Sequence, residues 1–497
     1  MVKTKNKSFL EKITAPLFNV FYYKVVLMIM LIPTLIVYTI DFNYRILFVM
    51  LAWGAVICLY DLFTKRKFLR ASGMLWLLGF LIVFALSVFV NFKNSFNLNF
   101  TNFGYNVIAL VLLYPNTTNN DKNRILKEVS VINYIFIAMT TVLSTISLIM
   151  FVTLHAVAIE GTDTTYVVGW YHNRLFGLYA NTGYMITTIG LALLVLQIVV
   201  LKTLNKRFTV WHKVFFIYTA ISNFLSICLE NAKGAFISFA AFIFVFVFFL
   251  LYRILTRKNY KAFKVWTVSI LASVLSSVVF FGAVYSIRPV LAYVPGIYSD
   301  IMGVEHGDLD DILTNEGEIE LDEDNKINID RDISSSYGFL TGRPKIWKFG
   351  LKEFLKKPLI GHGPQSHREY HILDIGLRHF HNLIIQSLVS VGILGSIFIF
   401  VFFFKKLLKT FSLLLNKIVS DDKFILVGMT IFAVVAMFIV NSMSEVTVLF
   451  LARFSVFIFW ILFGYMITLV SDDKKPKEDL WLEKIADSID NKLKKKN

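Results

Sequence analysis

Gly234-Ala-Phe-Ile-Ser-Phe-Ala-Ala-Phe-Ile-Phe-Val-Phe-Val-Phe-Phe-Leu-Leu-Tyr252 carries no charged side chain from end to end and is closed by Arg253. A helix crossing the hydrocarbon core of a bilayer needs roughly 20 mostly apolar residues, so this run reads as a membrane span. On its N-terminal side a tight turn holding Glu230 and Lys233 joins it to a second apolar run, 211–229. On its C-terminal side a basic cluster, Arg253, Arg257, Lys258, Lys261 and Lys264, leads into a third, 265–287.

The pattern repeats in both directions. Spans are expected at 21–40, 45–63, 71–91, 100–114, 129–154, 178–201, 211–229, 234–252, 265–287, 381–404, 423–442 and 447–470. The expected fold class is therefore an all-α polytopic membrane protein of about twelve transmembrane helices. Composition agrees: 56% of the 497 residues are hydrophobic and only 17% charged, with a mean hydropathy of +0.65, which excludes an ordinary soluble enzyme. The net charge of +16 sits in short clusters between apolar runs rather than in one stripe, so no nucleic-acid partner is expected. Cys58 and Cys228 both fall inside spans, leaving no outer disulfide framework.

Charge fixes the expected orientation. Alternate connections hold Lys65, Arg66, Lys67 and Arg70, then Lys202, Lys206, Arg207 and Lys213, then the Arg253–Lys264 cluster, then Lys405, Lys406 and Lys409. The opposite short connections are nearly free of Lys and Arg, the bias expected when the basic loops are cytoplasmic. Both termini are then cytoplasmic, and the N-terminal Lys3, Lys5, Lys7 and Lys12 precede a retained first span rather than a cleaved signal. The expected organisation is a basic N-terminus over 1–20, spans one to nine over 21–287, a large extracytoplasmic loop over 288–380, spans ten to twelve over 381–470 and a basic tail over 471–497. The fourth span, with Asn102, Gly104 and Asn106, is the weakest, and the tail is read as solvated rather than as an amphipathic surface helix.

Two outer segments are long, 155–177 and 288–380, and long loops are commonly functional. Residues 305–332 are acidic. Asp322, Asp324 and Asn328 loosely echo a calcium loop, but Lys326 occupies a ligand position and the turn glycine is missing, so a solvated insertion is preferred. A helix is expected over 345–355, followed by the Pro358-Leu-Ile-Gly-His-Gly363 turn, which brings His362 toward whatever the loop covers. Five histidines, His362, His367, His371, His379 and His381, crowd this region, yet no recognised ligand pattern accompanies them, and no metal is expected.

Charged groups at the outer ends of spans are costly unless paired or used. Arg174, Glu230, Lys233, Glu445 and Arg453 all fall there, with Arg453 two turns into the last span as a cationic site for an anionic head group. His381 and Asn382 open span ten at the same level. Cations stabilise a departing isoprenoid diphosphate, and a neutral histidine can take the proton of an attacking sugar hydroxyl.

The segments Gly342-Arg343-Pro-Lys-Ile-Trp347, Pro358-Leu-Ile-Gly361-His-Gly363, His381-Asn382-Leu-Ile-Ile-Gln386 and Gly392-Ile-Leu-Gly395 resemble, in residues, order and spacing, the O-antigen ligase and polymerase superfamily. Arg174-Leu-Phe-Gly177 with Asn181 is similar to that family's outer arginine motif, and Asn231-Ala-Lys233-Gly-Ala to its Ser-Arg-Gly-Ala turn. Lys233 in place of arginine keeps the charge and loses the bidentate fork, and Thr182 replaces a common proline. The resemblance implies inverting, metal-independent and cofactor-free glycosyl transfer from an undecaprenyl-diphosphate donor at the outer face of a bacterial cytoplasmic membrane. It implies His381 and Arg343 as catalytic residues. Arg174, Lys233, Arg453, His362, Glu445 and Asn382 are expected to hold the substrate or its diphosphate. The expected partners are a lipid-linked oligosaccharide donor and acceptor, membrane lipid, and a flippase and chain-length regulator of the same pathway. Polymerisation of repeat units for a capsule or other surface polymer is the leading expectation. Transfer to a terminal acceptor is the alternative, and a flippase or exporter the reading from another class.

Overall fold

The computed structural model describes residues 16–36, 40–64, 66–115, 121–160, 165–171, 173–179, 184–303, 326–327, 343–366, 371–372, 375–376, 379–420, 422–471 and 477–494. The N-terminal lysines, Asn181, Thr182 and the calcium-like Asp322, Asp324 and Asn328 lie outside these residues, as do the side chains of His367 and His371.

The described residues are mostly helical. In order come α1 (Val20–Met30), α2 (Ile40–Thr64), α3 (Met74–Val90), α4 (Phe96–Val107, continued by a π-helical turn to Leu113) and α5 (Lys122–Val152). After a small sheet follow α6 (Tyr184–Thr203), α7 (Val210–Glu230), α8 (Lys233–Arg257), α9 (Ala262–Leu291) and the short α10 (Val294–Met302). Beyond the acidic segment lie α11 (Arg343–Lys356), α12 (Leu383–Asn416), α13 (Phe424–Asn441), α14 (Phe454–Val470) and α15 (Lys477–Lys494). Among the described residues nine helices are long and apolar enough to cross a membrane, and three shorter apolar ones, Val20–Leu35, Met74–Val90 and Phe454–Val470, fall at the remaining expected spans. The fold is an all-α polytopic membrane protein. Helix α14 is apolar on every side and buried on nearly every side, so it forms the centre of the bundle. Helix α9 exposes Leu271, Leu275, Val278 and Val279, as a helix facing lipid does.

The last span begins later than its hydropathy predicts. Residues 442–453 are not helical, although Val446, Val448, Leu449 and Phe450 are completely buried. Irregular backbone at membrane depth is tolerated only where protein satisfies its polar groups. Here Asn106 and Asn102 of α4 do so: their side-chain oxygens accept from Phe450 N at 3.0 Å and Ala452 N at 3.2 Å. The Trp460 indole donates to Val448 O at 2.8 Å, and Leu383 N to Ser442 O at 2.8 Å. The asparagines that make the fourth span look weak are thus the partners of a buried loop. Arg453 is consequently the residue that precedes α14, not one two turns inside it, and Glu445 lies within the loop rather than at a helix start.

Helix α12 breaks at Gly392, whose φ of 64° and ψ of −170° no L-residue adopts easily. The break frees backbone groups that the Pro358–Gly363 turn collects. His362 N donates to Val389 O at 2.8 Å, Gly363 N to Ser390 O at 2.9 Å, and Ile393 N to Pro358 O at 2.8 Å. A Cβ on Gly361 would stand 2.6 Å from Val389 O, and one on Gly392 2.3 Å from Leu359 O. The two glycine-bearing motifs are therefore two halves of one backbone junction. Helix α11, one residue longer at its end and two at its start than expected, packs Ile346, Trp347, Phe349 and Phe354 beside Phe380, Ile385 and Val389 of the same region.

Three further expectations are corrected. The outer segment 155–177 is a three-stranded antiparallel sheet, β1 (Ala156–Glu160), β2 (Thr165–Tyr171) and β3 (Arg174–Gly177), so span six starts at Tyr184 rather than 178. Helix α12 runs on to Asn416 because Leu407, Leu408 and Phe411 continue its apolar pattern past Lys405 and Lys406. The tail is not merely solvated: α15 buries Leu482 and Ala486, and its Asp490 pairs with Arg66 and, at 2.7 Å, with Arg70, while Asp487 meets Arg70 at 2.9 Å.

Replacing Asn106 by Leu leaves the Phe450 amide buried without an acceptor, which costs about 1–3 kcal/mol. Thermal unfolding in detergent is expected to show a lower Tm for Asn106→Leu. A surface change such as Asn97→Leu is expected to leave it unchanged.

Candidate functional site

Glu445 is the centre of the site. It is 8% exposed, and four cationic or ionisable side chains from three segments converge on its two oxygens. His381 Nδ1 lies 2.8 Å from Oε1 and Arg343 Nη2 3.1 Å from the same oxygen. His379 Nε2 is 3.5 Å, and Arg453 Nη1 4.0 Å, from Oε2. Burial by itself would raise the Glu445 pKa. The His381 hydrogen bond and the charges of His379, His381 and Arg453 outweigh it, holding the carboxyl well below the ordinary range.

An ionised carboxylate can only accept, so His381 Nδ1 carries the proton and donates it. In its neutral form the ring has its lone pair on Nε2. Likewise His381 N donates to His379 Nδ1 at 3.2 Å, which leaves the His379 proton on Nε2, facing Glu445. The two imidazoles lie 4.0 Å apart, centre to centre. His381 itself sits at a φ of 50°, a left-handed conformation that costs a β-carbon residue on the order of 1 kcal/mol and points to an imposed geometry.

The imposition comes from its neighbours. Asn382 caps α12, accepting from Ile384 N at 2.9 Å and Ile385 N at 3.1 Å, while its amide donates to Met443 O at 3.0 Å. Both ends of that side chain bind backbone, so Asn382 ties the start of α12, next to His381, to the Glu445 loop. Gln386 accepts from Phe380 N at 3.1 Å and donates to Pro364 O at 3.1 Å, pinning the approach to the histidines.

His362 is placed elsewhere. It is buried at the glycine junction, and its Nε2 donates to Glu353 O at 2.8 Å. Burial pushes its pKa below the ordinary histidine value, against the opposing pull of the Glu353 carbonyl. These contacts tie it into the junction.

Arg174 and Lys233 belong to a second group. Arg174, on β3, donates from Nε to Glu230 O at 3.0 Å, at the end of α7. Glu230 is buried, with Thr187 donating to Oε2 at 3.0 Å. Asn231 turns the chain with a φ of 48° and accepts from Arg288 Nη1 at 3.0 Å, and Lys233 opens α8. Arg288 escapes a reading of the sequence because it lies at the expected edge of span nine. The two groups meet through α8: a Cβ on Gly234 would stand 3.3 Å from Ser444 Oγ, the residue before Glu445, and Asn441 donates to Ser238 Oγ at 3.0 Å.

Among the described residues, His379, His381 and Glu445 are the group whose donor atoms converge as a metal requires, within 4.8 Å of one another. Arg343 and Arg453 bring two guanidinium charges onto the same carboxylate, and that repulsion opposes a dication. The arrangement is fitted to anions: cations held on a carboxylate from which an incoming phosphate can draw them, beside a histidine lone pair.

The depressed pKa of His362 gives a sign for stability. The unfolded chain binds the His362 proton first, so its contribution is complete above the ordinary value of about 6.5 and declines as pH falls below it. His362→Gln is expected to unfold at lower Tm at pH 8 and to show a smaller further loss than wild type between pH 7 and pH 5.

No curated protein matches the chain. Residues 218–400 match the family described as O-antigen ligase. That segment runs from within α7 to the middle of α12 and includes Lys233, Arg343, His362, His381 and Asn382, while Arg174, Glu445 and Arg453 lie outside it. The residue pattern, the helical bundle and this match together support a likeness, over residues 218–400, to the O-antigen ligase and polymerase superfamily.

Proposed function

We propose that the chain polymerises lipid-diphosphate-linked oligosaccharide repeat units on the outer face of the cytoplasmic membrane. The observation that carries the reading is the Glu445–His381 pair with Arg343 and Arg453 on the same carboxylate. His381 Nε2 takes the proton of an acceptor hydroxyl as its oxygen attacks the anomeric carbon of the donor. The bond from that carbon to the diphosphate oxygen breaks, and the lipid diphosphate leaves with the electron pair. A single displacement inverts the anomeric centre. Glu445 holds the imidazole in the correct tautomer and steadies the imidazolium that forms. Arg343 and Arg453 exchange part of their attraction to Glu445 for the charge growing on the diphosphate. Arg174 and Lys233 extend the cationic surface along the carrier's phosphates and the glycan.

In the polymerase reading the donor is the growing lipid-linked chain and the acceptor the next lipid-linked unit. Transfer to a terminal acceptor would use the same groups, and the matched family is described by its ligases. The two are separated by product. Deleting the gene is expected to leave single repeat units on the carrier; full-length polymer stranded on the carrier would establish the ligase reading instead, and repeat units trapped on the cytoplasmic side a flippase.

At the residue level, His381→Ala is expected to lose about 10²- to 10⁴-fold in turnover. Glu445→Gln is expected to lose turnover by a comparable order while leaving donor binding intact, as measured with purified protein and lipid-linked substrate. Normal polymer from correctly inserted His381→Ala would refute the assignment.

A further inference from the structure

Strands β2 and β3 have two unlike faces. Trp170 and Leu175, cross-strand partners, are buried in a cluster with Phe151, Leu229 and Ile327, and this face anchors the sheet on the bundle. Tyr171 pairs with Arg174, and the Phe176 ring lies against both, so the three form a second group, where all are only half-buried. The Tyr171 and Phe176 rings lie 6.4 Å apart, centre to centre, and the Arg174 guanidinium lies 5.6 Å from the Phe176 ring. The register shifts between Gly169 and Trp170, where Phe176 is the extra residue on β3. Gly169 has a φ of 94°, and a Cβ there would meet His155 O at 1.8 Å.

The sheet does not need these rings for its own burial, since Trp170 and Leu175 supply it. Two half-exposed aromatic faces flanking an arginine match one ligand chemistry, a sugar ring beside a phosphate. The C–H faces of a pyranose are apolar and slightly positive, and pack on the negative face of an aromatic ring. The Arg174 contact to Glu230 O holds the aromatic face beside the α7–α8 turn and Lys233, and α8 leads on to Ser444 and Glu445.

We propose that Tyr171 and Phe176 form a glycan-stacking subsite that receives a sugar ring of the lipid-linked substrate while Arg174 and Lys233 face its phosphates. The proposal rests on the reading of the substrate as a lipid-linked glycan, and its test does not require turnover. The probe is a set of oligosaccharide fragments released from the host's own surface polysaccharide by partial acid hydrolysis, lacking lipid and diphosphate. Binding to the purified full-length protein in nanodiscs is measured by calorimetry. Wild type and His381→Ala are expected to bind the fragments equally. Tyr171→Ala and Phe176→Ala are each expected to bind roughly 2- to 10-fold more weakly. Tyr171→Phe is expected to retain binding, and Tm to be unchanged throughout. Fragments that do not bind wild type, or that bind the alanine variants as well as wild type, overturn the subsite. A normal polymer from His381→Ala alongside weakened binding in the alanine variants would overturn the catalytic reading and leave the subsite standing.

Discussion

A peptide bond that leaves helical geometry inside a membrane must find hydrogen-bond partners in the protein, because lipid offers none. Residues 442–453 meet that demand with Asn102, Asn106, Trp460 and Leu383, from three different parts of the chain. The loop so held carries both Glu445 and Arg453. A helix in its place would distribute those side chains around a cylinder. Irregular backbone held by these partners lets a carboxylate and a guanidinium stand together, against histidines that precede another helix.

The same economy appears at the Gly361–Gly392 junction. Two chain segments approach so closely that neither glycine position has room for a methyl group. The junction fixes where α12 starts, which fixes Asn382, which holds His381 in its left-handed conformation. Ser87 on α3 and Asn91, which caps its C-terminal end, extend the network, donating to Ser390 O at 2.7 Å and to Gly361 O at 3.0 Å. His362 and Asn382, motif residues expected at the substrate, are both tied into this framework.

The spans were legible because a bilayer imposes a one-dimensional requirement, about 20 apolar residues in a row. Their ends were less so. Val446–Leu451 is as apolar as a helix and is not one, because its burial comes from Asn102 and Asn106 more than three hundred positions away. His381, Arg343, Glu445 and Arg453 could each be singled out by type and level, but not the carboxylate's place at their centre, which depends on a pairing 64 residues apart. His379 was one of five clustered histidines until its contact with Glu445 distinguished it. The sheet did leave a signal, since Thr165-Tyr-Val-Val-Gly-Trp-Tyr171 is rich in β-branched and aromatic residues next to turn formers. Proximity to a span start obscured it.

The docked tail gives the basic residues between α2 and α3 two successive electrostatic identities. Arg70 and Asp487 are 417 positions apart, so the arginine leaves the ribosome long before its partner exists. Through that interval Arg66 and Arg70 lack the carboxylates of α15. Once α15 is made, its carboxylates pair with them, and the contact becomes a clasp between an early part of the chain and a late one.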